Sequence, residues 1–105
     1  MTEAEFHRIM DATQQRIEEA LDRADADLDV DNQGGLLSIT FADRSKVIVS
    51  RQAPLCQLWL AARSGGFHFD YRDGVWLRDS DHATLTDVMT TVCSAQAGHP
   101  ITISC

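Results

Sequence analysis

The sequence predicts an α+β fold: a two-layer α/β sandwich with N- and C-terminal helices packed on one face of a single antiparallel sheet. Three observations carry this. Both ends of the chain place apolar residues at three- and four-residue steps, which is a helical stripe. The middle consists of short alternating runs separated by turn residues. The links between those runs are too short for a crossover, so neighbouring strands must be antiparallel. Helices at both ends can then cover the one apolar face of the sheet. At 105 residues, the chain reads as one domain, 1–105.

Residues 2–24 form the first helix. Phe6, Ile9, Met10, Thr13, Ile17, Ala20, Leu21 and Ala24 share a face, and Thr2 followed by Glu5 fits a capping box. "DADLDVD", 25–31, alternates Asp25, Asp27, Asp29 and Asp31 with Ala26, Leu28 and Val30, the period of a half-buried strand. "NQGG" turns the chain into "LLSITF" (36–41), which pairs with "KVIVS" (46–50) across "ADRS". Pro54 interrupts before "CQLWLAA" (56–62). "RSGG" leads into "FHFDY" (67–71), and "RDG" into "VWL" (75–77). Leu85, Val88, Met89, Val92 and Cys93 mark the second helix, begun by Thr84 and Asp87 and ended by Gly98.

A chain of this length buries roughly 65% of its unfolded surface, enough for a core without staples. Cys56, Cys93 and Cys105 are odd in number and far apart. They suggest neither a disulfide framework nor a zinc or iron–sulfur site; Cys93 is expected to pack as a small apolar residue. No apolar run approaches the ~20 residues of a membrane span. "MTEAEF" has the character of neither a secretory signal nor a presequence, so a cytoplasmic location is expected.

The net charge is −7, and it is localised. Residues 1–31 hold ten acids against three bases, whereas 32–105 hold six of each. A field of that sign repels nucleic acid and anionic membranes and attracts cations or basic protein surfaces. On a helical wheel, Glu5, Arg8, Arg16, Glu19 and Arg23 form one solvent face, with Glu5–Arg8 and Glu19–Arg23 at ion-pair spacing. Glu3, His7, Asp11, Glu18 and Asp22 form another, beside the apolar stripe and with no base among them. If that stripe borders the aspartate strand, the two make one acidic ridge. A surface serving solubility alone mixes signs, and this one does not.

The ridge is not a calcium loop. An EF-hand needs Gly at its sixth position and Glu at its twelfth, and no start among these aspartates satisfies both. Alternate strand residues stand roughly 6.6 Å apart, against metal–carboxylate bonds of about 2.0–2.6 Å. Several weak, wet, oxygen-rich cation sites are expected rather than one cage. Glu18 and Asp22, four residues apart, are better placed than two strand aspartates. His7, between Glu3 and Asp11, offers one nitrogen ligand suited to ferrous iron, copper or zinc.

On the sheet, Leu58 and Leu60 are expected inside with Leu37, Ile39, Phe41, Phe67, Phe69 and Tyr71. Trp59 then stands in solvent on the opposite face, a candidate anchor for a partner. Trp76 is expected to be ordinary packing.

These residues resemble the bacterial frataxin-like proteins. "EFHRIMD" opens the first helix, and the acidic run, "GGLLSITF", "RQAPLCQLWLA" and "SGGFHFDY" follow in order. The resemblance implies a frataxin-like sandwich that binds ferrous or ferric iron weakly and exchangeably and acts in iron–sulfur cluster assembly, as iron donor or regulator. It implies a ridge of Glu3, Asp11, Glu18, Glu19, Asp22, Asp25, Asp27, Asp29 and Asp31, joined by His7, that contacts iron and a basic surface of the cysteine desulfurase. It implies a sheet patch around Gln57 and Trp59 that meets the scaffold protein or the assembly complex. Two positions depart from the pattern: Ser50, where relatives often carry Asn, and Gln33, where some are acidic. A monomer is expected, with oligomers only when metal is present. No nucleophile–base pair, phosphate loop or cofactor motif points to an enzyme beyond weak oxidation of bound ferrous iron. The rival readings are an iron-storage oligomer and an acidic protein-binding module without a metal role.

Overall fold

Thr2 begins the molecule's first element. Its hydroxyl accepts the Glu5 amide at 3.1 Å and donates to the Glu5 carboxylate at 3.2 Å, satisfying one of the orphan N–H groups of a helix start. The computed structural model describes residues 1–24 and 27–105. Helix α1 runs Glu3–Arg23 and buries Phe6, Met10, Thr13, Gln14, Ile17, Ala20 and Leu21. Six strands follow: β1 Asp29–Gln33, β2 Leu36–Thr40, β3 Lys46–Gln52, β4 Gln57–Ala62, β5 Gly65–Arg72 and β6 Val75–Arg78. They pair in chain order as one antiparallel meander. Helix α2, Leu85–Ala97, closes the fold, with the Thr84 hydroxyl accepting the Asp87 amide and Gly98 in the left-handed conformation at its end.

Two helices on one face of a six-stranded antiparallel sheet is the predicted architecture. The core is a single cluster. Leu37, Ile39, Val47, Val49, Leu58, Leu60 and Phe69 from the sheet, with Phe41 just beyond β2, meet Phe6, Met10 and Ile17 of α1 and Leu85, Met89 and Cys93 of α2. Trp76 is 2% exposed within it. Its indole N–H donates to the Thr13 hydroxyl at 2.9 Å, which itself donates to the Ile9 carbonyl at 2.8 Å. Cys93 is fully buried, and burial pushes its thiol up to about 12, so it packs as a small apolar residue.

The aspartate strand differs from expectation. Asp25 lies outside the described residues, Asp27 and Leu28 precede the strand, and Asn32 and Gln33 belong to it. The reason is the hairpin. Gly34 and Gly35, at φ +60° and +86°, make a two-residue turn that L side chains adopt poorly. That turn pairs Gln33 with Leu36, and β2 ends at Thr40, so β1 begins at Asp29. All five residues of this edge strand are exposed, not half-buried.

Residues 99–105 were given no element by the sequence, yet Ile101 and Ile103 are buried in the core. This tail runs back along α2. Ser94, Thr90 and Thr86, one helical turn apart, accept the amides of Ile101, Ile103 and Cys105 at 2.9, 3.0 and 3.1 Å.

Candidate functional site

Eight of the ten acids of the first thirty-one residues fall into three groups; Glu5 belongs to the Thr2 cap and Asp25 lies outside the described residues. Glu3, His7 and Asp11 occupy successive turns at the start of α1, with His7 Nε2 3.7 Å from Glu3 Oε1. They were expected to lack a base. The structure supplies one from β3. Arg51 lies in register with Leu58, which puts its side chain on the helix-facing side of the sheet. Its Nη1 donates to His7 Nδ1 at 3.0 Å, and its Nη2 donates to the Asp11 carboxylate and to Gln14 Oε1 at 2.9 Å. A guanidinium only donates, so His7 Nδ1 accepts. Asp11 and His7 are therefore engaged, and the expectation of an unpaired stripe fails there. One local signal pointed to this: alternation from Val47 and Val49 puts residue 51 on the same inward face.

Glu18, Glu19 and Asp22 form the second group, on the last turns of α1. Glu19 and Asp22 are exposed and Glu18 is half-buried. Among the described residues none of the three is in an ion pair. The expected Glu5–Arg8 and Glu19–Arg23 pairs are absent too. Glu5 turns back to the Thr2 cap instead, and exposed pairs contribute too little to hold long side chains in place.

Asp27, Asp29 and Asp31 are the third group, all exposed. Asp29 pairs in register with Thr40 and Asp31 with Ser38. They therefore project to the open face of the sheet, away from the helix layer to which Leu37 and Ile39 point. The helix acids and the strand aspartates thus face different sides of the sheet, joined only around its edge. Bases approach here too. Asp27 and Asp29 share a cleft of about 500 Å³ with Arg44 and Lys46 at the β2–β3 loop. Among the described residues, no three His, Cys, Asp or Glu side chains converge into a group that could hold a metal ion. Any cation on these surfaces has one or two protein oxygens and water for the rest of its shell.

The open face of the sheet carries Trp59 between Ser50 and His68 in one cross-strand row. It is on the predicted side but is not free in solvent. Its ring stacks on His68 with centroids 4.4 Å apart at 21°. Its indole N–H donates to Gln57 Oε1 at 3.1 Å, and Gln57 Nε2 donates to Asp70 at 3.1 Å. His68 Nδ1 lies 3.7 Å from Asp79. The patch is thus a held platform of Gln57, Trp59, His68 and Asp70. Sequence reasoning named Gln57 and Trp59 for it, and placed His68 and Asp70 on this face without a role.

Residues 1–99 match the family model of the frataxin-like domain. Proteins called iron–sulfur cluster assembly protein CyaY are close in sequence. That of Pseudomonas aeruginosa is 47% identical over 96% of this chain and 95% of its own. That of Azotobacter vinelandii is 45% identical over 96% and 94%. This chain belongs to the frataxin family. The frataxin of Psychromonas ingrahamii superposes with a TM-score of 0.93 at 33% identity, over 99% of both chains. A trimeric frataxin from the yeast Saccharomyces cerevisiae, solved in a ferrous complex, shares the fold at a TM-score of 0.70. It is 24% identical, over 90% of this chain and 86% of its own. In this frataxin-like chain no helix among the described residues is long and apolar enough to cross a membrane. The departures seen in sequence fall at defined places: Ser50 lies opposite Trp59 in the sheet, and Gln33 is the exposed end of β1.

Proposed function

We propose that this chain is an iron-binding accessory protein of iron–sulfur cluster assembly, with no catalysis of its own beyond weak oxidation of bound ferrous iron. Ferrous or ferric iron binds weakly and exchangeably on Glu18, Glu19, Asp22, Asp25, Asp27, Asp29 and Asp31. The same acidic surface docks a basic face of the cysteine desulfurase, and the platform of Gln57 and Trp59 meets the scaffold protein. One observation carries this reading: Glu19, Asp22, Asp27, Asp29 and Asp31 are exposed and Glu18 half-buried, none in an ion pair among the described residues, in a chain whose relatives are named for that assembly. Carboxylate and water ligands suit hard, exchangeable cations, and a surface with a surplus of negative charge steers a basic partner. The test is cluster assembly reconstituted from desulfurase, scaffold, sulfur source and ferrous iron, with and without this protein, at several iron levels. A concentration-dependent change in rate is expected. An effect that persists at saturating iron assigns regulation of the desulfurase, and one that vanishes assigns iron delivery. No effect at any iron level overturns the reading.

A further inference from the structure

The geometry points to Arg51 as a built-in cation that occupies the N-terminal third of the acidic surface and keeps metal ions off His7 and Asp11. This rests on the reading that the acidic surface takes up iron. Arg51 is held from several directions. Its two terminal nitrogens reach His7 Nδ1, Asp11 and Gln14 Oε1, and one of them lies 3.5 Å from the His7 carbonyl. Gln14 in turn donates to the Gly35 carbonyl at 2.7 Å and the Val49 carbonyl at 3.3 Å. The guanidinium lies against Gly35, where a β-carbon would come within 2.8 Å of Nε. The side chain is 15% exposed, and Nε is buried with no hydrogen-bond partner among the described residues.

A metal ion bound by His7 Nδ1 must take an acceptor that answers this charge, and one bound by Asp11 must share the carboxylate that Arg51 already holds. The arginine has little room to withdraw, since Gly35 closes one side and Gln14 another. Displacing it would leave a buried guanidinium with Nε and both terminal nitrogens short of partners, which is costly. A divalent ion placed beside the seated guanidinium is repelled by it. His7 and Asp11 therefore act as positioning residues for Arg51, which ties α1 to the turn that carries β1. Cation uptake falls to Glu18, Glu19 and Asp22 and to the aspartates of 27–31.

Manganese(II) is a suitable probe, because it broadens amide NMR signals near its site whether or not cluster assembly works. In the wild type, broadening should centre on residues 18–22 and 27–31. Arg51→Met keeps the aliphatic stem and removes the charge. It should gain broadening at Glu3, His7 and Asp11, with affinity there rising about fivefold or more. Asp11→Asn, with Arg51 intact, should leave manganese affinity unchanged, and it remains readable if Arg51→Met does not fold. No gain in Arg51→Met, or a loss in Asp11→Asn, overturns this inference and leaves the proposed function standing. Binding that appears only in Arg51→Met supports the inference while removing iron uptake from the proposed function. Binding in neither protein removes both.

Discussion

Leu58 and Leu60 are buried, so the pleat turns Trp59 to the open face, where Gln57 and His68 partly cover it. That cover sets the expected cost of removing it. Truncating a fully buried Trp costs about 3–5 kcal/mol. Trp59→Ala should cost about 1–2 kcal/mol, since it forfeits one stacked contact and partial burial but opens no core cavity. Truncating an interface anchor costs about 2 kcal/mol or more of binding, roughly thirty-fold in affinity. The variant should melt cooperatively and keep its iron binding, yet lose its effect on cluster assembly at equal concentration. Loss of the fold would put Trp59 among core residues, and unchanged assembly would make it a bystander. Gly35 is constrained twice over. Its φ of +86° disfavours any side chain at about 1–3 kcal/mol, and a β-carbon would strike Arg51. Gly34, at φ +60°, has nothing within 4 Å of such a carbon. Gly35→Ala should therefore destabilise clearly more than Gly34→Ala in urea unfolding. Equal losses would mean that the guanidinium moves aside freely.

At the scale of elements, the column of hydroxyls on α2 is what holds the tail. Thr90→Val keeps the shape of the side chain but leaves the Ile103 amide without its acceptor. It should cost about 1–3 kcal/mol, with faster amide exchange confined to 99–105 at the loss's onset; global exchange alone would refute a separable tail. The turns carry a different dependence, on acid. Two N–H groups of Arg78 and the Ala83 amide hold the Asp81 carboxyl well below its ordinary 3.8. The Ser45 hydroxyl and amide, helped by Arg63, hold Asp43 at about 2. Carboxyls depressed on folding add stability that is complete above about 3.8 and lost as pH falls towards about 2. Asp81→Asn should flatten that acid limb in urea melts, and an unchanged limb would place its origin elsewhere. How legible each element was depends on how local its cause is. The helix caps at Thr2, Thr84 and Gly98 were readable because each involves residues within one turn. The limits of β1 were not, because the length of β2 sets them. Arg51 was seen only as part of a motif, since its partners His7 and Asp11 lie 44 and 40 residues away. The tail was missed because two alternating isoleucines are too short a pattern without the hydroxyls of α2 that receive them.

Across the whole molecule, charge is distributed in a way the fold does not neutralise. The surplus of seven acids lies in residues 1–31, while the remaining chain is balanced. The structure pairs Asp11 with Arg51, Asp43 with Arg63 and Asp81 with Arg78, so two of these three pairs lie in the balanced part. Glu18, Glu19, Asp22, Asp27, Asp29 and Asp31 remain in no ion pair among the described residues. Screening acts on both kinds of interaction with opposite sign: it weakens the few attractions and relieves the more numerous repulsions. At ~10 Å, the Debye length in 0.1 M salt reaches across neighbouring acids on one surface, so the repulsive sum should dominate at low salt. Raising sodium chloride from low to moderate concentration should therefore raise the melting temperature, by about 4–8 °C for each kcal/mol relieved in a domain of this size. Divalent cations should do so at much lower concentration, because they bind the folded surface and shift the equilibrium by mass action. The double substitution Asp27→Asn, Asp29→Asn should raise the melting temperature at low salt and reduce its salt dependence, while weakening iron and desulfurase binding. The cleft with Arg44 and Lys46 makes this a demanding test, since those bases attract the same two aspartates. A double variant less stable than the wild type at low salt would show that attraction across the cleft outweighs repulsion along the edge. The acidic surface would then be a stabilising feature of the fold rather than a strain kept for binding.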